Sequence, residues 1–159
     1  GRPAPTDLAA WTRRVGGSTG DPQAGRRIFF HPRVALCATC HRHSGRGVVL
    51  GPDLSAVADR DDADWLLHAI LQPNKDVAPQ YYPWSIRTKD GEDFVGIMLR
   101  KGGRSGKEFY RDPTGHEKAL SKSDIVSRRE LKSSLMPEGL LATLTDSEIR
   151  DLLTFLKER

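Results

Sequence analysis

The sequence predicts a mostly α-helical domain with a small antiparallel β-sheet inserted near its middle. Apolar residues recur at helical spacing early in the chain, after Asp21-Pro22, and again at its end, after Thr145. Between these stretches, residues 80–130 alternate with period two and contain strong turn signals, a pattern that favours strands. A length of 159 residues suits about one domain with a substantial core.

The chain begins with a segment of different composition. Residues 1–20 are rich in Pro, Gly, Thr and Ser, and Leu8 and Trp11 are their only sizeable apolar anchors. We expect this segment to be a linker or a docking segment. The domain is then predicted to cover residues 21–159, with the inserted sheet at residues 80–130.

Asp21-Pro22 predicts the start of the first helix of the domain, with Asp as the N-cap and Pro at the first helical position. The helix should run to about Phe30 and end before Pro32. Gly25 and Phe29 share one face. Because a glycine inside a helix is unfavourable by up to about 1 kcal/mol relative to alanine, we expect another helix to cross closely at Gly25.

Two later helices are predicted from their ends. Asp62-Ala63-Asp64 begins one of them, and Pro73 stops it. Thr145-Asp146-Ser147-Glu148 forms a capping box that begins the last helix. The apolar stripe of this last helix consists of Ile149, Leu152, Leu153 and Leu156.

The inserted sheet is predicted to have three to five strands. Residues 84–89 alternate between apolar and polar, and Asp90-Gly91 is a strong hairpin turn. The expected return strand and the further short strands are 94–99, 108–111, 116–121 and 124–126.

The pentapeptide Cys37-Ala38-Thr39-Cys40-His41 is the attachment signature of a c-type haem. Each thiol adds to one vinyl group of the porphyrin, and the adjacent His41 then lies beneath the ring, within reach of the iron. Gly51-Pro52 marks a sharp turn that can bring the Pro52 carbonyl beside His41. A carbonyl that accepts the other imidazole N–H would fix the orientation of the ring.

Two other interpretations of the motif stay open at this point. A thioredoxin-like redox pair normally follows a strand in a βαβ setting, whereas Cys37 follows a predicted helix. Structural zinc usually needs four ligands, and the chain has no third cysteine. His31 and His43 could complete a zinc set, but their spacing matches no common zinc layout. Haem attachment is the favoured interpretation.

Composition limits the remaining classes. No segment approaches the roughly 20 apolar residues of a membrane span. The opening residues do not resemble a signal peptide, so we expect an export signal to have been removed or left out. Thioether attachment occurs outside the cytoplasm, which predicts a periplasmic or otherwise exported protein. No basic stripe interleaves with aromatic residues, so no nucleic-acid partner is predicted.

Charge is unevenly distributed along the chain. Residues 80–132 hold 12 Lys and Arg against 8 Asp and Glu. A basic segment of this kind can steer an acidic redox partner toward the protein, or it can simply form a solvated surface.

The order of these elements resembles that of class I cytochromes c: a helix, Cys-x-x-Cys-His, a Gly-Pro-x-Leu turn, a loop methionine and a C-terminal amphipathic helix. This resemblance covers about residues 20–79 and 132–159. Residues 70–79, 88–91 and 134–140 are more narrowly similar to the Pirellula/Verrucomicrobium-type haem-binding domain, over roughly residues 20–159. Such domains commonly lie at the C-terminal end of much larger exported proteins.

The resemblance implies a cytochrome c-like helical fold around one covalently attached haem c, with the sheet inserted before the loop of the distal methionine. It implies thioether bonds from Cys37 and Cys40, His41 as the proximal ligand and Met136 as the distal ligand. It also implies that Gly25 and Phe29 cross the last helix near Leu152 and Phe155.

An iron with six ligands leaves no open site for a substrate, so the favoured function is electron transfer rather than catalysis. The redox partner would be a separate protein or a fused dehydrogenase domain. Two alternatives remain: a haem peroxidase or gas sensor in which Met136 is labile, and an interaction module in which the haem is structural. Competing iron ligands would be Met98, His31, His43, His68 and His116.

Overall fold

The computed structural model describes residues 1–17, 19–60 and 63–159. The chain forms two compact units, one of residues 1–76 with 137–159 and one of residues 77–136. The predicted antiparallel sheet is present, but the fold is not clearly mostly α-helical, because nearly as many described residues lie in strands as in α-helices. The strands extend beyond the predicted apolar alternation into charged residues, which continue the backbone ladder with their side chains in solvent.

The described part of the first unit contains four α-helices: α1 (Leu8–Val15), α2 (Pro22–Phe29), α3 (Ala63–Leu71) and α4 (Asp146–Leu156). Their apolar faces meet in one core, which includes the buried side chains of Trp11, Phe29, Leu67 and Leu152. Among the described residues, no helix is both long and apolar enough to cross a membrane.

Helices α2 and α4 are in backbone contact. A Cβ at Gly25 would lie 2.0 Å from the backbone oxygen of Asp151, so only glycine allows the two helices to approach this closely. The Asp21 N–H donates to the Asp151 carboxylate at 2.7 Å. The rings of Phe29 and Phe155 pack with centroids 5.7 Å apart. The prediction of a close helix crossing at Gly25 is confirmed.

The predicted caps of both helices are confirmed. The Asp21 side chain accepts the Gln23 N–H at the start of α2. At the start of α4, Thr145 and Glu148 form the reciprocal hydrogen bonds of a capping box. The predicted start of the second helix at Asp62 lies outside the described residues, and α3 continues to Leu71.

The sequence analysis missed two elements of the first unit. Helix α1 lies within the predicted linker or docking segment, and its Trp11 and Val15 are only 4% and 2% exposed. One helical turn separates these residues, but the surrounding Pro, Gly and Ser residues obscured the pattern. The second missed element is a small hairpin of β1 (Arg42–His43) and β2 (Arg46–Gly47).

The second unit contains a five-stranded antiparallel sheet in the spatial order β6-β5-β4-β3-β7. Its strands are β3 (Trp84–Thr88), β4 (Asp93–Lys101), β5 (Lys107–Arg111), β6 (Glu117–Ser121) and β7 (Ile125–Glu130). Register shifts between Met98 and Arg100 and between Arg87 and Thr88 interrupt the ladders. Such irregularities increase the local twist and bend a sheet.

Curvature of the sheet brings β5 and β7 together. Two strands lie between them, so a flat sheet would hold them about 14 Å apart. Nevertheless, Arg128 on β7 donates to both carboxylate oxygens of Glu108 on β5 at 2.7 Å. The Tyr110 hydroxyl donates to the same carboxylate at 2.6 Å. Glu108 and Tyr110 are 3% and 0% exposed, so the carboxylate is buried, and its bonds to Arg128 join two strands that are not neighbours in the sheet.

We expect Gly25→Ala to destabilise the first unit, although alanine normally favours a helix by about 1 kcal/mol over glycine. The added methyl group would overlap the Asp151 backbone and force α2 away from α4. Denaturant melts would measure the loss, with Gln23→Ala on the exposed face of α2 as the control. A Gly25→Ala protein as stable as the wild type would contradict the close crossing.

Glu108→Gln should destabilise the second unit by about 1–3 kcal/mol at neutral pH, because it weakens the interaction with Arg128 and leaves a buried polar network imperfectly paired. Burial alone would raise the pKa of Glu108, but the hydrogen bonds from Tyr110 and Arg128 lower it below its usual range. Because the pKa of Glu108 is lower in the folded state than in the unfolded state, its ionisation stabilises the fold above the unfolded-state pKa. This stabilisation is lost as the pH falls through the folded-state pKa.

The wild-type second unit should therefore lose stability below about pH 4, and the loss should be smaller in Glu108→Gln. Hydrogen exchange of the β5 amides, corrected for intrinsic exchange rates, would measure this loss of stability in both proteins. The control is Glu117→Gln, which alters a more exposed glutamate paired with Arg100. Equal pH slopes in the wild type and in Glu108→Gln would show that the buried carboxylate is not responsible.

Candidate haem site

The Cys-x-x-Cys-His motif forms a single tight turn. Residues Cys37–Thr39 adopt a 3-10 helix, and the Cys40 and His41 N–H groups donate to the Cys37 carbonyl at 3.2 and 2.9 Å. Ala35 and Leu36, just before the turn, have positive φ angles of 56° and 57°. Positive φ is unfavourable for residues other than glycine. Two such residues in a row turn the chain sharply between α2 and Cys37, the first residue of the motif.

Both cysteines are free thiols and are half-buried. Burial raises the pKa of the Cys37 thiol to about 11, and the neighbouring Cys40 acts weakly in the same direction. Cys37 is therefore a protonated thiol at neutral pH. The Thr39 hydroxyl donates to the Leu36 carbonyl at 2.5 Å, which stabilises the turn between the two cysteines.

The His41 imidazole is fixed by a backbone carbonyl. Its Nδ1 lies 2.7 Å from the Pro52 oxygen, which can only accept a hydrogen bond, so Nδ1 carries the proton. Burial lowers the pKa of His41, while the Pro52 carbonyl acts in the opposite direction. The ring is therefore neutral at neutral pH and has its lone pair on Nε2, the form that binds a metal.

Gly51 lies against the face of the same ring. A Cβ at position 51 would be 2.6 Å from the His41 Cε1 atom, so any larger residue would displace the imidazole. The Leu50 and Gly51 N–H groups both donate to the Cys40 carbonyl, at 3.0 and 2.8 Å. These bonds attach the turn directly to the motif.

These residues fit a covalently attached haem. Two free thiols and a neutral imidazole with an available Nε2 occupy five consecutive positions. The glycine at position 51 leaves room for the imidazole, and the carbonyl of Pro52 sets its tautomer.

Met136, the predicted distal ligand, is the last residue of the second unit. Its N–H donates to the Ser134 hydroxyl at 3.0 Å, and its side chain is half-buried. Distal ligation by Met136 stays a prediction. Met98 lies on β4 and packs against the core of the sheet, which includes Ile86 and Tyr110.

The other histidines occupy separate places in the fold. His31 is exposed after α2, His68 lies on α3, and His116 lies in the turn between β5 and β6. His43 is buried on β1, and its ring centroid is 4.5 Å from that of Phe155. Within residues 1–17, 19–60 and 63–159, no three His, Cys, Asp or Glu side chains form a group that could hold a metal ion.

Sequence reasoning missed two contributions to the site. The Gly-Pro turn was recognised, but the contact of Gly51 with the imidazole was not, because the sequence does not show which surface a turn approaches. His43 was considered only as a possible ligand, whereas it packs among Phe29 and Phe155. Burial and the charge of Arg26 lower the pKa of His43, so the ring is neutral in this apolar setting.

Comparison with known proteins supports the identity of the motif. The family model described as Cytochrome c matches residues 22–83. The match includes α2, the motif, the Gly51-Pro52 turn and α3, and it ends before Met136 and α4. No curated protein matches the chain. Residues 22–83 are therefore similar to a cytochrome c domain, and the cofactor that this family implies is a covalently attached c-type haem.

Proposed function

We propose that this chain is an electron-transfer cytochrome domain whose single haem is bonded to Cys37 and Cys40 and ligated by His41 and Met136. The observation that carries the proposal is the hydrogen bond between His41 Nδ1 and the Pro52 oxygen. It leaves Nε2 as the metal-binding nitrogen, next to the two thiols. The family match over residues 22–83 supports the haem-binding, electron-transfer role.

The residues of the site have different tasks in this proposal. Cys37 and Cys40 hold the cofactor in place, and His41 supplies a neutral nitrogen ligand whose ring is fixed by Gly51 and Pro52. The haem, when bound, supplies one-electron exchange between ferrous and ferric iron. A thioether ligand from Met136 favours the ferrous state and so raises the reduction potential.

The chemistry also suggests a setting for the domain. Thioether attachment places the protein in the periplasm or another exported location. The resemblance to the Pirellula/Verrucomicrobium-type domain supports a position at the C-terminal end of a larger exported redox protein. Its partner would be a separate redox protein or a dehydrogenase domain in the same chain, and the site itself performs no catalysis.

Cys37→Ala and Cys40→Ala should each impair stable attachment, because each removes one of two covalent tethers. Expression with the haem-attachment machinery, followed by intact mass, would measure the bound haem directly. His41→Ala should have the larger effect on the spectrum, since it removes the proximal ligand. A purified His41→Ala protein with a native low-spin spectrum and potential would refute the assignment of the motif.

Met136→Ala should open one coordination position, lower the reduction potential and allow carbon monoxide to bind. Met98→Ala is the matched control, because it removes the other methionine of the chain from the packed sheet. Optical spectra of both oxidation states and a potentiometric titration would test this. Carbon monoxide binding in Met98→Ala alone would identify Met98 as the ligand, and a high-spin wild type would favour a peroxidase or sensor.

A further inference from the structure

We propose that Asp53 and Ser55 are positioning residues, which hold the Pro52 carbonyl on His41 and thereby set the strength of His41 as an iron ligand. This inference rests on the proposed function, because it concerns the ligand that the proposal assigns to the haem. All of its residues belong to the first unit.

Asp53 and Ser55 form a compact clamp just after the Gly51-Pro52 turn. The Asp53 Oδ1 atom accepts the Ser55 N–H at 2.8 Å and the Ser55 hydroxyl at 2.6 Å. These two bonds close a small ring in which the aspartate side chain replaces a backbone acceptor. The same two donors lower the pKa of Asp53, so the carboxylate stays ionised at neutral pH.

The clamp is connected to the β1–β2 hairpin. The Ser55 hydroxyl oxygen accepts the Ser44 N–H at 3.0 Å. Because its own proton is donated to Asp53, the hydroxyl presents a lone pair to Ser44. Ser44 has a φ of 51°, so its amide direction is set by an unusual turn conformation. A second bond, from the Leu54 N–H to the Arg42 carbonyl at 2.8 Å, joins the same two segments.

The position of Asp53 controls the direction of the Pro52 carbonyl. The carbonyl belongs to the planar peptide unit that joins Pro52 to Asp53. The proline ring fixes φ at Pro52, so ψ is the soft dihedral that can rotate the carbonyl away from His41. Hydrogen bonds to Cys40 hold the turn before Pro52, and the clamp holds it after Pro52. With both sides fixed, ψ cannot change freely.

A well-directed carbonyl changes the chemistry of His41. An imidazole that donates its Nδ1 proton to an acceptor becomes a more basic ligand through its other nitrogen. A more basic ligand stabilises ferric iron relative to ferrous iron, which lowers the reduction potential. Loss of the clamp should therefore raise the potential, without removing a ligand or a covalent tether.

The chain contains a matched control for this motif. Asp112 Oδ1 accepts the Thr114 N–H at 2.9 Å and the Thr114 hydroxyl at 2.6 Å, the same pattern as in Asp53 and Ser55. It lies between β5 and β6 in the second unit. Asp112→Ala therefore removes an equivalent local clamp from the unit that does not contain His41.

The experiment uses holoprotein in which intact mass shows bound haem. Two alanine variants, Ser55→Ala and Asp53→Ala, each remove the hydrogen bond between the side chains of Asp53 and Ser55. Two conservative variants, Ser55→Thr and Asp53→Asn, keep the side-chain oxygen acceptors. Two quantities are measured: the reduction potential, and the exchange rate of the His41 Nδ1 proton by NMR of the ferrous protein. We expect both alanine variants to raise the potential and speed up the exchange, and the conservative variants and Asp112→Ala to change neither.

A wild-type potential and exchange rate in whichever alanine variant forms holoprotein would overturn the inference while leaving the proposed function intact. Equal changes in Asp112→Ala would also overturn it, since they would show a general effect of losing such a motif. Failure of the wild type to bind haem covalently is a different result, because it would refute the proposed function itself.

Discussion

The contact between α2 and α4 at Gly25 is the constraint on which the first unit depends. Because no side chain separates the helices there, the rings of Phe29 and Phe155 meet just beyond the crossing. His43, two residues after His41, packs against both rings. The helix crossing therefore supports the hairpin that follows the motif, and the geometry of the site depends on packing well outside the pentapeptide.

Backbone atoms fix the position and orientation of the His41 ring. The Cys40 carbonyl holds the turn, the Pro52 carbonyl holds the imidazole, and Gly51 leaves space for the ring. Backbone acceptors cannot ionise, so their hydrogen bonds to a neutral histidine persist over a wide pH range. A site built this way keeps His41 in one tautomer and one ring orientation.

The second unit has its own stabilising principle. Its small apolar core of Ile86, Tyr110 and Leu120 is supplemented by the buried Glu108 carboxylate and its bonds to Tyr110 and Arg128. A buried carboxylate is unfavourable unless its oxygens are hydrogen-bonded, and here both oxygens accept from Arg128. The network joins strands that are not neighbours in the sheet, and this defines its curvature.

The sequence by itself determined the features that depend on local spacing. Short-range steric and hydrogen-bonding rules determine the cap at Asp21, the capping box at Thr145, the Asp90-Gly91 turn and the alternation of the sheet. The spacing of the two thiols and the adjacent histidine is likewise a local feature of the sequence. The glycine in α2 even indicated a helix crossing, because an unfavourable residue in a helix needs a tertiary reason.

Tertiary structure decided what local rules leave open. Helix α1 is stabilised because Trp11 and Val15 pack into the core of the first unit. The strands continue through charged residues because their backbones still pair with neighbouring strands. Gly51 meets His41, and Glu108 meets Arg128, through contacts between residues distant in the chain or on separate strands. Such contacts depend on how complete elements pack, and no local pattern encodes which surfaces will meet.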